Sequence, residues 1–542
     1  MANVLTDLQT SPATDANGST HTGSLADANK YPYIWSPLQK TAFRIVFVFF
    51  IIMCIPGSAS WYKTVFNIDW THLHYRDLYD VARFNPIRIW TVRSESGRWG
   101  LASWSNWVAI LGIAIVIGLI WGWVDNKRKS YNIAYYWLQA IVRYRAGIGI
   151  IGFGFTKLFP VQMPYPSISL LNNNFGDLTG HKVFWLSIGI VPWYQVFTGV
   201  VEVAAGAFLL FRKTTAFGAA LLIGALASIT VVNLGYDGGV HVYASYFVLL
   251  GSFVLAYYIP RVYRLLILKQ DVTPIDIVPN FSEKWQRWLR IGIKSLLVFL
   301  FLIVLFYLQW MNYLYDPYKQ PSSPGVKTLR GYYHVKEFKI NDRIIPEDPT
   351  DTTRWQEVIF EKWSTLAYKQ NRKVPLELSN GGGGPMKDIN KTFEVSGVAG
   401  GRRVFHYLAD TVNQVLYLQD KNIMTAKKKI HSRGGGDDII NPAYVVKDSS
   451  KFWIPIEALR NIGDENKTIH PRASSTRRNR VFGVGLVDEG RQKMILSYQT
   501  EDGGKRVYLR GINEDKDSIF VVLDRVDRKY AVSESTLSAG SY

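Results

Sequence analysis

The pattern of apolar and polar positions divides this chain in two near residue 315. Before that point, long segments such as 43–55, 107–121, 188–210 and 291–308 carry almost no charge. A helix that spans a bilayer needs about 20 mostly apolar residues, and several of these windows meet that length once flanking residues are included. The sequence therefore predicts an α-helical polytopic membrane protein with a different kind of domain after it.

Seven spans are predicted, at about 41–58, 104–124, 133–157, 184–211, 214–234, 241–260 and 290–311. Basic clusters follow the second span ("DNKRK"), the fourth ("RKTT") and the sixth ("RVYRLLILK"), and they share one side only if the N-terminus lies there too. The positive-inside rule makes that side the cytoplasm. We expect an N-in/C-out topology, with the loop 58–103 and everything after residue 314 outside.

Beyond residue 331 the pattern changes to short runs rich in β-branched and aromatic residues, at 332–340, 355–360, 403–408 and 415–419. The last three runs, "KMILSYQ", "KRVYLRGI" and "SIFVVLDRV", are separated by short Gly/Asp/Asn turns, which predicts an antiparallel meander. We expect a mostly antiparallel periplasmic β-domain over 331–542, either a sandwich or a barrel of the lipocalin-like kind. Residues 316–330, with "DPYKQPSSPG", are expected to form a stiff, exposed linker.

The domain plan follows from these two patterns. The first thirty residues are polar and low in complexity and contain no apolar core, which predicts a disordered cytoplasmic tail over residues 1–40 and not a cleaved signal peptide. Residues 41–130 hold two spans and a long periplasmic loop. Residues 131–265 hold a four-helix domain, and 266–315 a cytoplasmic connection and the seventh span.

Charge and cysteine content exclude several classes. The net charge is +19, which in a membrane protein indicates basic loops that contact anionic lipid and not nucleic acid. The single cysteine, Cys54, excludes internal disulfides, CxxC redox chemistry and Cys-ligated metal centres. We predict no metal site and no tightly bound cofactor, and a quinone or a lipid stays open as a ligand.

The segment "GIGIIGFG" has the glycine spacing of a dinucleotide-binding turn at Gly147, Gly149 and Gly152. That turn needs a preceding strand, whereas this segment lies within an apolar span. Gly147 and Gly154 instead share one helix face, where small residues let membrane helices approach closely. The fifth span is also rich in small residues, so spans three to five are expected to form one tight bundle.

Glu202 is a carboxylate in the middle of the fourth span. Such a group costs roughly 2.5–3.5 kcal/mol in a bilayer, so it requires a protein or water partner. At 1.5 Å per residue, Arg145 lies about 18 Å and Glu202 about 14 Å from the cytoplasmic surface. An intramembrane ion pair between Arg145 and Glu202 is predicted, with Arg143 as the second choice; it either locks two helices or forms part of a substrate or proton site.

A second set of polar residues gathers at the outer ends of the spans. Lys157 ends the third span, and "VVNLGYDGGVHVY" places Asn233, Asp237 and His241 between the fifth and sixth. The glycines after Asp237 indicate a short turn. We predict that Lys157, Asn233, Asp237 and His241 converge at the outer mouth of the bundle as a candidate polar site.

Together, "FGFTKLFP", "VEVAAGAFLLFRKTTAFGAALLIGALA" and "NLGYD" resemble the DoxX family of four-helix membrane domains over about 133–262. The residues that carry the likeness are Gly154, Lys157, Glu202, Gly206 and Arg212. The whole chain resembles the long DoxX-like membrane proteins of Bacteroidetes. The resemblance implies a bundle in a Gram-negative inner membrane, a periplasmic outer domain and a redox-associated setting.

Two functions of different class follow. The first is a non-catalytic accessory or scaffold subunit of a larger envelope complex, respiratory or secretion-related, with other membrane or periplasmic proteins and lipids as partners. The second is a membrane redox-associated or transfer enzyme that binds a quinone or a lipid at the outer mouth of the bundle. A transporter is disfavoured, because the spans show no inverted repeat and few polar residues.

Overall fold

The computed structural model describes residues 35–90, 101–272, 283–317, 319–378, 387–422, 453–465 and 491–534, with single residues at 279, 281, 381 and 470. The predicted N-terminal tail falls almost entirely outside the described residues.

The first part of the chain is helical. Its α-helices, in chain order, are α1 (Pro37–Cys54), α2 (Ala59–Phe66), α3 (Tyr75–Ala82), α4 (Ser105–Val124), α5 (Asn132–Leu158), α6 (Ile168–Leu171), α7 (Gly180–Gly189), α8 (Pro192–Leu210), α9 (Thr215–Gly235), α10 (His241–Ala256), α11 (Ile259–Leu266), α12 (Lys284–Val298) and α13 (Leu305–Tyr315). A π-helical segment, Phe299–Val304, joins α12 to α13 in one 32-residue rod.

Five helical segments of the described chain are long and apolar enough to cross a membrane: α1, α4, α8, α9 and the α12–α13 rod. A sixth appears if α10 and α11, bent by 62° at the break between them, are taken as one span. The helix of the third predicted span, α5, has 27 residues but carries Arg143, Arg145 and Lys157 and is not among the five. The structure divides the fourth predicted span, 184–211, at Pro192, because a proline is favoured in the first turn of a helix and ends the one before it.

The glycine face of α5 packs against α8, as the sequence predicts. A Cβ atom at Gly147 would lie 3.0 Å from the carbonyl oxygen of Gly206, and one at Gly154 would lie 2.7 Å from a methyl group of Val203. A Cβ at Gly218 of α9 would lie 2.9 Å from the carbonyl oxygen of Ala205. Helices α5, α8 and α9 are therefore in near-backbone contact, and the dinucleotide-binding spacing is coincidental.

The second part of the chain is a closed antiparallel β-barrel. Its strands are β1 (Gly331–Ile340), β2 (Arg343–Ile344), β3 (Glu357–Phe360), β4 (Thr365–Lys369), β5 (Arg402–Asp410), β6 (Val415–Asp420), β7 (Lys493–Glu501), β8 (Arg506–Ile512) and β9 (Ser518–Arg525). Strands follow one another in sequence order around the sheet, and β1 pairs with β9 to close it, while the short β2 only extends β1. The eight strands other than β2 form the barrel. The predicted antiparallel β-domain and its C-terminal meander are confirmed.

The interior of the barrel is filled by side chains. One cluster of buried apolar residues draws on every barrel strand, including Tyr333, Phe360, Tyr368, Phe405 and Tyr407. The rings of Trp355 and Tyr368 stack at 4.0 Å between centroids. The aromatic side chains occupy the space that a ligand would take in a hollow barrel.

The expectation of an exposed linker after α13 is wrong. Asp316 and Lys319 are 0% and 1% exposed, and the carboxylate of Asp316 pairs with Lys391 at 3.0 Å. Lys391 also pairs with Asp388 at 3.3 Å. The proline- and serine-rich composition suggested exposure, but a buried lysine from the β-domain requires an acidic partner, and this segment supplies one.

Candidate functional site

Helix α3 lies inside the helical bundle, although its sequence belongs to the predicted outer loop 58–103. Tyr75, Leu78, Tyr79 and Ala82 recur at the spacing of one helical face and are all buried. They pack in one cluster with Phe155 of α5 and Leu305 of α13. The loop therefore folds back between the spans and brings a short polar helix with it.

The N-terminus of α3 is capped by the side chains of His74 and Asp77. His74 precedes the helix, and its Nδ1 accepts from the backbone N–H of Arg76 at 3.2 Å. Asp77 accepts from the backbone N–H of His74 at 2.8 Å. Arg76 pairs with Asp80 one turn later at 2.8 Å. These bonds satisfy the polar groups that the helix would otherwise bury unpaired.

Arg145 of α5 holds the other end of α3. Its guanidinium donates to the carbonyl oxygens of Ala82 at 2.9 Å and Phe84 at 3.0 Å, and lies 3.9 Å from the centre of the Phe84 ring. A cation at the C-terminus of a helix is favoured by the exposed carbonyl groups there. Arg145 is near the middle of α5, so α3 reaches from the barrel side to the middle of that helix.

The predicted pair of Arg145 with Glu202 is wrong, and Lys157 takes the place of Arg145. Lys157 Nζ donates to Glu202 Oε1, with Glu202 1% exposed. The register of the two helices gives the reason. Gly154 lies against Glu202 and Val203, whereas Gly147 lies against Gly206, so Arg145 is more than two turns of α5 away from the carboxylate and points toward α3.

Arg143, the second predicted partner, is also not bonded to Glu202. It donates to Thr215 Oγ1 at 3.3 Å, at the first residue of α9. Arg143 precedes Gly154, which packs against Glu202, by eleven residues, so about three helical turns separate it from the level of the carboxylate.

The carboxylate of Glu202 is only half satisfied. Its second oxygen, Oε2, is buried and has no hydrogen-bond partner within the part of the chain that is described. Among the described residues, Glu202 is the hydrogen-bond partner of Lys157. The pair therefore joins α5 to α8 and leaves one acceptor oxygen inside the bundle.

Two amides of α13 form the least satisfied polar feature of the bundle. Gln309 is 0% and Asn312 1% exposed, and all four of their side-chain polar atoms lack a hydrogen-bond partner among the described residues. Both follow Leu305 on one face of the helix, at i+4 and i+7. Since Leu305 packs with Tyr75 and Phe155, this face is turned toward α3 and the C-terminal half of α5.

The predicted outer-mouth site is not assembled around Lys157. Asn233 donates from Nδ2 to the carbonyl oxygen of Ile229 in its own helix at 2.8 Å. His241 opens α10, and its Nε2 lies 3.2 Å from Ser103 Oγ at the start of the second span. Asp237 occupies the left-handed region at φ 50°, in the predicted turn. The turn is therefore as expected, but Lys157 faces Glu202 instead.

At the C-terminal end of α5, the loop between α5 and α8 is docked on the barrel domain. Leu178 forms an antiparallel bridge with Val398, and the N–H of Thr179 donates to the carbonyl oxygen of Gly397 at 3.0 Å. Glu361 accepts from the backbone N–H groups at the start of α6, with 2.7 Å to that of Ser169. Burial raises the pKa of the Glu361 carboxyl.

Lys182 lies at the centre of this interface. It is 3% exposed, and its Nζ donates to the carbonyl oxygen of Phe393 and lies 4.0 Å from the centre of that ring. Burial lowers the pKa of Lys182 from 10.5 to about 7. The nearby carboxylates of Glu394 and Glu377 raise this pKa, and the positive charge of Lys319 lowers it further. The bundle and the barrel are thus joined by backbone pairing and by buried charges.

Sequence reasoning missed α3, Gln309 and Asn312. The helical spacing of Tyr75, Leu78, Tyr79 and Ala82 was a readable signal for α3, although eight residues is short for a confident helix. Two amides in a long apolar helix were also visible, and polar residues in a span are functional candidates by default. The apolar pattern of the sequence does not indicate in which direction Gln309 and Asn312 point.

Comparisons with protein-family models, curated proteins and solved structures found no match for this chain.

Proposed function

We propose that this protein is a DoxX-like inner-membrane protein whose bundle binds a membrane-soluble ligand, a quinone or a lipid, at the barrel end. The observation that carries this is the pair of amides on α13. Gln309 and Asn312 bury four polar atoms without a described protein partner. A buried polar group left without a hydrogen bond costs about 1–3 kcal/mol. A ligand or ordered water that forms hydrogen bonds with these atoms would therefore stabilise the bundle.

The chemistry of the amides suits a neutral ligand with oxygen atoms. A carboxamide offers two N–H donors and one carbonyl acceptor, so it binds the carbonyl oxygens of a quinone, the hydroxyl groups of a quinol or the ester and hydroxyl groups of a lipid. Aromatic rings surround this part of α13: Phe306 lies 5.8 Å from Phe155 and 5.2 Å from Phe159. Such a setting suits a flat ring or an acyl chain.

The backbone of the same helix supports a binding role. The π-helical segment Phe299–Val304 comes directly before α13. Such segments are rare and frequently lie at functional sites, because the extra residue per turn shifts which side chains face inward. In this rod the shift precedes Leu305, Gln309 and Asn312, and it contributes to turning them toward α3.

The nearby charges take a supporting role in this proposal. Arg145 is engaged with the carbonyl groups of α3, and Lys157 with Glu202. They hold α3 and α8 against α5. Glu202 Oε2 adds one acceptor for a hydroxyl group. We assign binding or transfer, and no reaction.

The topology belongs to the same proposal. Seven spans with the N-terminus in the cytoplasm and the barrel in the periplasm agree with the basic clusters after the second, fourth and sixth predicted spans. The five to six apolar helices support the membrane setting.

Mass spectrometry of the purified protein tests the proposal. The full chain, extracted in mild detergent, is expected to carry a quinone or a lipid that Gln309→Leu/Asn312→Leu no longer retains. The ligand-free double variant should be at least as stable as the wild type, because it removes unsatisfied polar groups. Gln139→Leu, whose amide is bonded to Tyr135 and Phe253 at the other end of α5, is the control and should keep the ligand.

The result also separates ligand from water. If wild type and double variant carry the same small molecules, or none, the amides are satisfied by water and the binding proposal fails.

An accessory role in a larger envelope complex is the second candidate. The α12–α13 rod supports this role. It passes beside the bundle, but only 11% of the residues in its most apolar stretch are buried. Its free face fits either lipid tails or the helices of another membrane protein. Native purification that recovers only the isolated chain would remove this candidate.

A further inference from the structure

A cluster of cations lies at the opposite end of the bundle, away from the barrel. Lys294 of α12 is close enough to both Arg143 and Arg290 for mutual electrostatic repulsion. Its Nζ lies 4.4 Å from the centre of the Phe211 ring, in the turn between α8 and α9. Arg143 reaches the same turn through Thr215. Two helices, α5 and α12, thus direct positive charge at the turn between α8 and α9.

Among the described residues, no ion pair joins a carboxylate to Arg143 or Lys294. Helices α5, α9 and α12 contain no Asp or Glu. Within the described chain, Arg143 Nε is buried without a hydrogen-bond partner. Like charges held together in a partly apolar setting are unfavourable unless an anion joins them.

The adjoining turn adds further positive potential. It carries Arg212 and Lys213, and the 21-residue helix α9 begins directly after it with no side-chain cap. The free N–H groups of a helix start favour an anion. Combined with the cations of α5 and α12, they form a site for an anionic oxygen group.

The position along the rod indicates where that group comes from. Trp285 and Trp288 of α12 are exposed, as expected for aromatic residues at the head-group level. Lys294 lies six residues further along the apolar rod, about 9 Å toward the membrane interior. A long side chain at that depth extends back toward the head groups, where lipid phosphates lie.

We propose that Arg143, Arg290 and Lys294, with the turn between α8 and α9, bind the phosphate group of an anionic phospholipid in the leaflet away from the barrel. This site is separate from the amides of α13 and does not depend on the function proposed for them.

Lipid binding to the full chain tests the site. The protein is placed in nanodiscs of phosphatidylcholine, with or without phosphatidylglycerol, and bound lipid is quantified by native mass spectrometry after release. Arg143→Gln/Lys294→Gln should weaken retention of phosphatidylglycerol by about 30-fold, because each cation near the surface contributes about a factor of five. Arg143→Lys/Lys294→Arg should retain it.

The matched control removes the same number of charges elsewhere on that side. Lys127→Gln/Lys129→Gln changes two exposed lysines between α4 and α5 and should leave retention within about twofold of the wild type. Thermal unfolding gives a second reading: Arg143→Gln/Lys294→Gln should raise the melting temperature in phosphatidylcholine alone, since it removes repulsion, and lower it relative to the wild type with phosphatidylglycerol.

Two outcomes overturn the proposal. One is equal loss of phosphatidylglycerol in both double variants, which would mean that only the general positive charge attracts the lipid. The other is displacement of the lipid by millimolar-range inorganic phosphate, which would make the ligand a soluble phosphate compound.

Discussion

At the residue scale, the polar groups inside the bundle separate into bonded and unbonded ones. Lys157 and Glu202 form a pair with less than a tenth of either residue exposed. Arg145 is equally buried but is bonded to backbone carbonyl groups. Gln309 and Asn312 have no such partners in the described chain. In these two residues every side-chain polar atom is therefore available to a ligand, whereas Glu202 offers one oxygen.

The Lys157–Glu202 pair should behave as a coupled unit. Glu202→Gln is expected to lower the free energy of unfolding by about 3–5 kcal/mol, because it leaves a buried ammonium group without a counter-ion. Lys157→Met/Glu202→Leu should cost far less, since neither charge remains. Unfolding in a common detergent measures both, and a double variant as unstable as the single one would contradict the coupling.

At the element scale, α3 is the feature that the sequence concealed. Long apolar runs located α1, α4 and α9 well, because each lies within the length range of a bilayer-spanning helix. Depth counting placed Arg145 and Glu202 at similar heights, but the packing of α5 on α8 puts Glu202 level with Gly154, more than two turns from Arg145. Counting also carries no information on rotation, and α3 lies on the side to which Arg145 turns. The alternation in "YYHVKEFKI" predicted β1, whereas β4 (Thr365–Lys369) is buried along most of its length and shows no such alternation.

Arg145 should be what keeps α3 inside the bundle. In a Cys54→Ala background, which removes the only cysteine, Leu78→Cys places a single thiol on the buried face of α3. This thiol should resist maleimide labelling, because Leu78 is 1% exposed. Adding Arg145→Met should make it reactive, since the carbonyl groups of Ala82 and Phe84 lose their donor.

Arg143→Met, two residues away on the same helix, is the control for that labelling experiment and should leave the thiol protected. If Arg145→Met also leaves it protected, apolar packing alone holds α3, and the guanidinium has no positioning role.

At the scale of the whole molecule, the bundle and the barrel are held together by an interface rich in buried charges. Strand alternation predicted an antiparallel β-domain, either a sandwich or a barrel, but it could not predict how that domain docks on the bundle. The partners Lys182 and Phe393, or Asp316 and Lys391, are far apart in sequence, and single-sequence patterns report only local structure.

The docked interface should strengthen as pH rises from 7. Lys182 has a pKa of about 7 when buried, against 10.5 for the ordinary side chain. Between these values the unfolded state binds more protons, so unfolding becomes less favourable as pH increases. The raised pKa of Glu361 acts with the opposite sign: its contribution is present at low pH and is lost as pH rises through that pKa.

Melting temperatures measured between about pH 7 and 9.5 check this behaviour. The wild type should become more stable across the range, and Lys182→Met should flatten the profile. A variant that keeps the same slope would show that another group titrates. Lys336→Met, on strand β1 and away from the interface, is the control.

The same interface sets an order for biogenesis. Ser169 and Glu361 meet across it although 192 residues separate them. During synthesis the loop between α5 and α8 is made long before the barrel that receives it, and domains generally fold as units, starting from the N-terminus. Until the barrel is complete, the loop is exposed to water and the side chain of Lys182 is charged. Docking of the barrel buries Lys182 and lowers its pKa, so the ammonium group loses its proton most readily at that step. Completion of the C-terminal domain is thus the event that converts an inserted bundle into the assembled protein.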